Sequence, residues 1–222
     1  VVALLKTLID KTDNFEIIRD RIAVLIAEET ANQVRLAKNA GMDYRLWELK
    51  VFSERSNPWD VFLKGANPDT TPVCNVWFNN SNFDQAGSNV VEQQKTEGVF
   101  NIDVYGCEVT KAKLGGQVPG DEAASKEAHR AIKLVRNILM SSQNTYLQLR
   151  GMVWRRFPDA VTIFQPEIKA EAKQVVGARL SLRVTFSEYS PQYSGDNIEL
   201  ISVVVNRAED GSVVAEKDFD FT

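Results

Sequence analysis

Few side chains in this 222-residue sequence have the types and spacing for covalent or acid–base chemistry. There is one histidine, His129, and there are two cysteines, Cys74 and Cys107. A His-centred triad therefore has a single candidate, and no acid-plus-nucleophile pattern surrounds it. A solvated residue on a helix shoulder is the plainer reading. Nucleophile signatures of the G-x-S-x-G or papain type are absent. A structural zinc site of Cys and His would consume both thiols and the only imidazole. The glycine-rich stretch 115–120 precedes a helix, but Asp121 and Glu122 stand where a phosphate loop needs its lysine. It reads as a linker. Asp210, Asp218 and Asp220 fall close together in a predicted hairpin, yet Asp218 and Asp220 alternate with Phe219 and Phe221. Surface alternation explains them better than divalent-ion binding. No catalytic, metal or cofactor residue is assigned, no cofactor is expected, and the chain reads as a structural or binding protein rather than an enzyme.

The composition points the same way. Hydrophobic residues make up 44% and charged residues 25%, the balance of a globular chain rather than a disordered one. Cysteine is far too scarce for a disulfide scaffold. The two thiols are consistent with a reducing compartment without fixing one. No stretch reaches the roughly 18 apolar residues of a membrane span. The N-terminal residues lack the basic region and cleavage site of a signal peptide. The net charge of −4 conceals a segregation. Residues 126–183 carry eleven Lys/Arg against four acids, a local +7, which leaves −11 for the remainder. Such a chain has the material for complementary faces between copies of itself, although solvated surface accounts for the same counts.

The elements that must position these groups follow from periodicity. Asp13 and Glu16 have capping-box spacing, and Ile18, Ile22, Leu25, Ile26 and Val34 follow at helical intervals. Gly41 supplies a stop, so a helix spans 14–40, with residues 3–9 as an extra helical turn before it. A strand is expected at 46–52 and a Pro-containing loop at 53–72, with Trp59 and Phe62 packing onto something. Strands are expected at 73–78, broken by Asn79, and at 98–106, where Phe100, Ile102 and Val104 alternate with Asn101, Asp103 and Tyr105. The polar residues between them suggest a long hairpin or arm. A linker at 111–120 leads into a second helix with a stripe of Ala124, Ala128, Ala131, Ile132, Val135, Ile138 and Leu139. A short helix is expected at 145–150, then strands from Val153, with the longest at 175–186. The strands 198–206 and 213–221 flank Asp210-Gly211, a strong hairpin turn. The whole is one α+β domain of residues 1–222: a helical N-terminus at 1–41, strands with loop and arm insertions at 42–110, the linker, a helical region at 121–151, and strands with the C-terminal hairpin at 152–222. Its fold class is a twisted, mainly antiparallel sheet packed by two helices.

This order of elements resembles the tail terminator, or tail completion, proteins of tailed bacteriophages, especially those with contractile tails. The likeness is carried by residues 98–106, by the helix with Ala124, Ala128, Ala131 and Arg136, by 149–156 with Leu149, Gly151, Trp154 and Arg155, and by the strand 178–182. It covers about 95–190; the first 90 residues and the C-terminal hairpin are elaborations. The resemblance implies a structural virion protein, assembled in the host cytoplasm and located in the tail or neck. Its partners would be copies of itself in a ring, a hexamer in the family, the tail tube and sheath, and the neck or head–tail connector. Genomic DNA would pass through the centre, with no membrane involved. Subunit or partner contacts are expected at Trp59, Phe62 and Phe83, since aromatics are enriched at interfaces. They are also expected at Lys126, Arg130, Arg155, Arg156, Arg179 and Arg183 on the basic side and at Asp218 and Asp220 on the acidic side. The alternatives are another tail or neck component (a tube or sheath initiator, a baseplate or head-completion protein) and, from a different class, a carboxylate-dependent hydrolase or nuclease. The basic set next to Trp154 and Phe157 also leaves open electrostatic contact with a passing polyanion.

Overall fold

The computed structural model describes residues 8, 11–63, 70–83, 93–108, 111–113, 116–118, 120–166, 174–189, 200–206 and 213–220. The helix α1 runs Asn14–Asn39. Its N-cap is Asp13, whose carboxylate accepts from the Phe15 amide at 3.3 Å. At the other end Gly41 adopts φ +68°, and the Gly41 and Met42 amides donate back to the carbonyls of Lys38 and Ala37. That paired closure is the glycine-terminated cap the sequence signals. Ile18, Ile22, Leu25 and Ile26 are buried, while Val34 is only half-buried. The helix α2, Gly120–Met140, buries every residue of its expected apolar stripe and leaves His129 exposed.

Five strands form one mixed sheet in the order β1-β2-β3-β7-β6. They are β1 (Lys50–Ser53), β2 (Val73–Phe83), β3 (Gln93–Glu108), β6 (Val153–Phe164) and β7 (Gln174–Tyr189). All neighbours are antiparallel except β1, which lies parallel to β2. At its centre β3 and β7 pair without a register shift from Gln93↔Tyr189 to Glu108↔Gln174. Opposite residues share a face, so Phe100, Ile102 and Val104 line up with Leu182, Leu180 and Ala178, all fully buried. Both helices pack on this face, α1 against β1 and β2, and α2 against β3 and β7. The α+β class and the mainly antiparallel sheet with two covering helices are as expected from the sequence.

Several boundaries differ. The expected strand at 46–52 is a 3-10 turn at Tyr44–Trp47 followed by the four-residue β1, because Asp43 caps the turn by accepting from the Arg45 amide. Asn79 does not end β2. It forms a bulge between Phe78 and Asn80, and pairing with β3 resumes to Phe83↔Thr96. The linker 111–120 contains a short ladder, β4 (Lys111–Lys113) with β5 (Gly116–Val118). The expected helix at 145–150 is a 3-10 turn at Ser142–Asn144 with further turns, in which Leu147 and Gln148 take positive φ. Pro158 does not divide β6: the strand lies at the sheet edge, the place where a sheet tolerates proline, and the register shifts immediately after it, between Pro158 and Ala160. The C-terminal hairpin is present as β8 (Leu200–Asn206) paired with β9 (Val213–Asp220). The expected turn at residues 3–9 lies largely outside the described residues, and the polar connection 84–92 and the Asp210-Gly211 turn lie wholly outside them. Residues Asp10–Tyr189 form one compact unit, and the β8–β9 ladder belongs to a second.

One close approach holds the α2 layer in place. A Cβ on Gly106 of β3 would collide with the Ala124 carbonyl and sit 2.9 Å from the Ala128 amide nitrogen. Both are backbone atoms of α2 and cannot step aside. Gly106→Ala is expected to lower the stability by about 1–3 kcal/mol, the usual cost of overpacking. Urea unfolding followed by circular dichroism measures it, and an unchanged midpoint would show that the helix can lift.

Candidate functional site

The face of the sheet away from the helices carries the chemistry-bearing side chains that the alternation in β3 and β7 puts there. Its centre is Asp103, only 3% exposed. One carboxylate accepts four hydrogen bonds: from Arg179 Nε at 2.7 Å and Nη2 at 2.9 Å, from Trp77 Nε1 at 3.0 Å, and from the Tyr105 hydroxyl at 3.4 Å. Register explains the pairing, since Asp103 stands opposite Arg179 in the ladder. The guanidinium also lies against two rings, 4.9 Å from the Trp77 centroid and 5.2 Å from that of Phe164. Burial, with Asp103 beside it, pushes the Tyr105 hydroxyl well above its ordinary pKa.

Above this group the 3-10 turn Pro58–Leu63 covers part of the face. Phe62 is fully buried among Val73, Tyr105, Cys107 and Val175, and Trp59 packs on Tyr105 with ring centroids 5.3 Å apart. Asn75 holds the incoming loop by a reciprocal pair of 3.0 Å hydrogen bonds to the backbone N–H and C=O of Arg55. A cleft of about 380 Å³ remains between Trp59, Trp77, Phe164, Arg55 and Arg179. Its charged walls are already satisfied, Arg179 by Asp103 and Arg55 by Asp60 at 2.6 Å. Further along the strand, Arg183 reaches Asp159 at 3.0 Å and Glu97 at 3.1 Å, and Ser181 donates to Asn101.

The expected contact residues therefore divide into two sets. Phe62, Arg156, Arg179 and Arg183 are engaged inside the chain. Arg156 donates to the carbonyls of Ser141 and Asn144 at 2.7 and 2.6 Å, while Asn144 donates to that of Ile138. These bonds tie β6 to the turns that follow α2, where the Ile138 and Asn144 carbonyls also accept from the Ser141 and Leu147 amides. Trp59 is half-buried. The outward set comprises Phe83 at the end of β2, Lys126 and Arg130 on α2, and Arg155 on β6. Among the described residues, Lys126 and Arg130 make ion pairs along their own helix, with Glu122 and Glu127, which contribute little. Asp218 and Asp220 pair in the ladder with Ser202 and Leu200.

Two features were not singled out in the sequence. Asp103 and Tyr105 read only as the outward members of an alternating strand, and nothing local signals that Asp103 faces an arginine 76 residues away. Val161 and Ile163 share the helix-side face of the sheet, opposite Leu180 and Ala178, yet remain 45% and 49% exposed. Among the described residues, no group of three or more His, Cys, Asp and Glu side chains could hold a metal ion, and no helix is long and apolar enough to cross a membrane. No protein-family model and no curated protein matches the chain.

The geometry assigns Asp103 and Arg179 a structural task. Asp103→Asn should cost about 2–3 kcal/mol, the loss for breaking a buried pair reduced for the partly exposed arginine. Tryptophan fluorescence during denaturation would report both the loss and the changed surroundings of Trp77. Ser181→Ala should leave the midpoint nearly unmoved. Cys74 and Cys107 are thiols at 0% and 2% exposure, and burial with Asp103 nearby pushes the Cys74 thiol further up. A maleimide added to native protein should label neither, and both should react once it is unfolded. Fast native labelling would mean that the sheet opens readily.

Proposed function

We propose that this chain is a structural assembly protein, a subunit of the ring that terminates a phage tail and joins it to the neck. The observation that carries the reading is how the charges are disposed on this α+β frame. The ionic groups in the middle of the sheet are neutralised within the chain, while α2, packed on β3 and β7, turns Lys126, Arg130, Lys133 and Arg136 to solvent. A rigid wedge with a cationic outer row suits contact with acidic neighbours and with a passing polyanion. The order of elements between about 95 and 190, on which the resemblance to tail terminators rests, supports the same reading. The cleft beside Arg179 does not favour an enzyme, because its charged groups are paired within the chain, Arg179 with Asp103, Arg55 with Asp60 and Glu54 with Arg19.

In this reading the sheet and its two helices act as one block in a closed ring, a hexamer by the resemblance. One rim would cap the tail tube and the other would meet the neck, with no cofactor and no catalytic step. Reconstruction of a virion containing this protein tests it. Copies arranged as a ring at the head-proximal end of the tube are expected; copies at the distal baseplate, or none in the particle, would overturn it.

A further inference from the structure

We propose that β6 is a docking edge, and that its occupant is the β8–β9 hairpin of a second copy of this chain. The inference rests on the ring reading for its biological setting, but its structural grounds are separate. Among the described residues, β6 has β7 on one side and no strand on the other. The strand is twelve residues long, and its edge, interrupted at Pro158, offers backbone donors and acceptors for strand addition. Its distal half is apolar where it should be covered. Val161 and Ile163 lie on the face that α2 buries further in, and Trp154 at the other end is 58% exposed.

The hairpin supplies the complementary need. Its two strands form a sheet of their own, and an isolated two-stranded ladder is marginal in water. Its sequence is strongly apolar, with Leu200, Ile201, Val203, Val204 and Val205 in one strand and Val213, Val214 and Phe219 in the other. The charges also match. β9 carries Glu216, Asp218 and Asp220 against Lys217, whereas Arg155 of β6 and the exposed row Lys126, Arg130, Lys133 and Arg136 of α2 are cationic. β6 is the neighbour of β7, one of the two strands on which α2 packs. Pairing β9 with β6 would hide the apolar residues of both and place acids beside bases, contacts that fix orientation as well as attraction.

Cysteine trapping on the full-length chain tests this. Ile163→Cys is combined in turn with Ala215→Cys, Glu216→Cys, Lys217→Cys and Asp218→Cys, so that both faces of β9 are sampled. The two native thiols are buried and give little background. With a copper–phenanthroline oxidant at high protein concentration, at least one pair should yield covalent dimers and higher ladders. Their yield should exceed that of Leu36→Cys on α1 with the same β9 cysteines by about 100-fold, the scale on which a docked contact raises local concentration. A disulfide closing within one chain, or a yield no higher than the α1 control, would overturn the proposal. Hydrogen exchange of the unmodified protein is the second measurement. Protection of the amides in 153–164 should rise with concentration and fall on dilution, and concentration-independent exchange would also overturn it. Cross-linking in a protein that is absent from the neck would sink the ring reading alone. A neck ring without the cross-link would sink this inference alone.

Discussion

The sixteen-residue ladder between β3 and β7 is the constraint on which the rest depends. It is the longest pairing in the sheet and runs without a bulge. Since the side-chain period of a strand is two, a slip of one residue would turn every Phe, Ile and Leu of the core into the solvent. Two sets of contacts forbid the slip. On the helix side, Phe100, Ile102, Leu180 and Leu182 are fully buried beneath α2. On the other side Asp103 meets Arg179 directly across the ladder, and Glu97 reaches Arg183 on the diagonal. Burial supplies most of the stabilisation, at about 1.5–3 kcal/mol for each large apolar side chain. The ion pairs contribute mainly by making the wrong alignment costly, since a displaced Asp103 would be a buried charge without donors.

The remaining parts attach to this ladder. Asn14, at the start of α1, donates to the Ser187 carbonyl and to the Glu188 carboxylate at the end of β7. Glu54, in the loop after β1, accepts from the Phe78 amide and from Arg19 of α1. Phe15 stacks on Phe78, with ring centroids 4.2 Å apart, and Phe78 meets Phe100 beneath it. The first helix is thus joined to the sheet at both of its partner strands. The turn carrying Trp59 and Phe62 is held by Asn75, a polar residue only 4% exposed in the second strand.

What could be read in advance follows from the range of the forces involved. Helix positions, the glycine cap and the two alternating strands were legible because periodicity and capping are local. The stripe from Ala124 to Leu139 was foreseen residue by residue. The boundaries that moved were decided by distant partners. Asn79 looks like a strand breaker, but β3 continues beside it and absorbs the irregularity as a bulge. Pro158 looks like a strand end until β6 is known to occupy an edge. For the contact residues the difficulty was greater. Composition marked Arg156, Arg179 and Arg183 as basic surface, whereas their acceptors are 12 to 86 residues away in sequence. Charge counting finds cations; it cannot tell a spent one from an exposed one.

The two borders of the main sheet are unequal, and this has a consequence for growth. One border is the long β6. The other is β1, four residues in length and parallel to its neighbour. A strand that settles on β6 finds no matching receptor of similar length at the opposite border of the same sheet, so a seam that repeats from copy to copy needs a donor strand outside the main sheet. Proline and two register shifts narrow the usable length of β6 itself. The main sheet therefore has polarity, with one receptive border and one nearly closed border, and direct border-to-border joining of main sheets, the contact that continues a sheet into a fibril, is disfavoured.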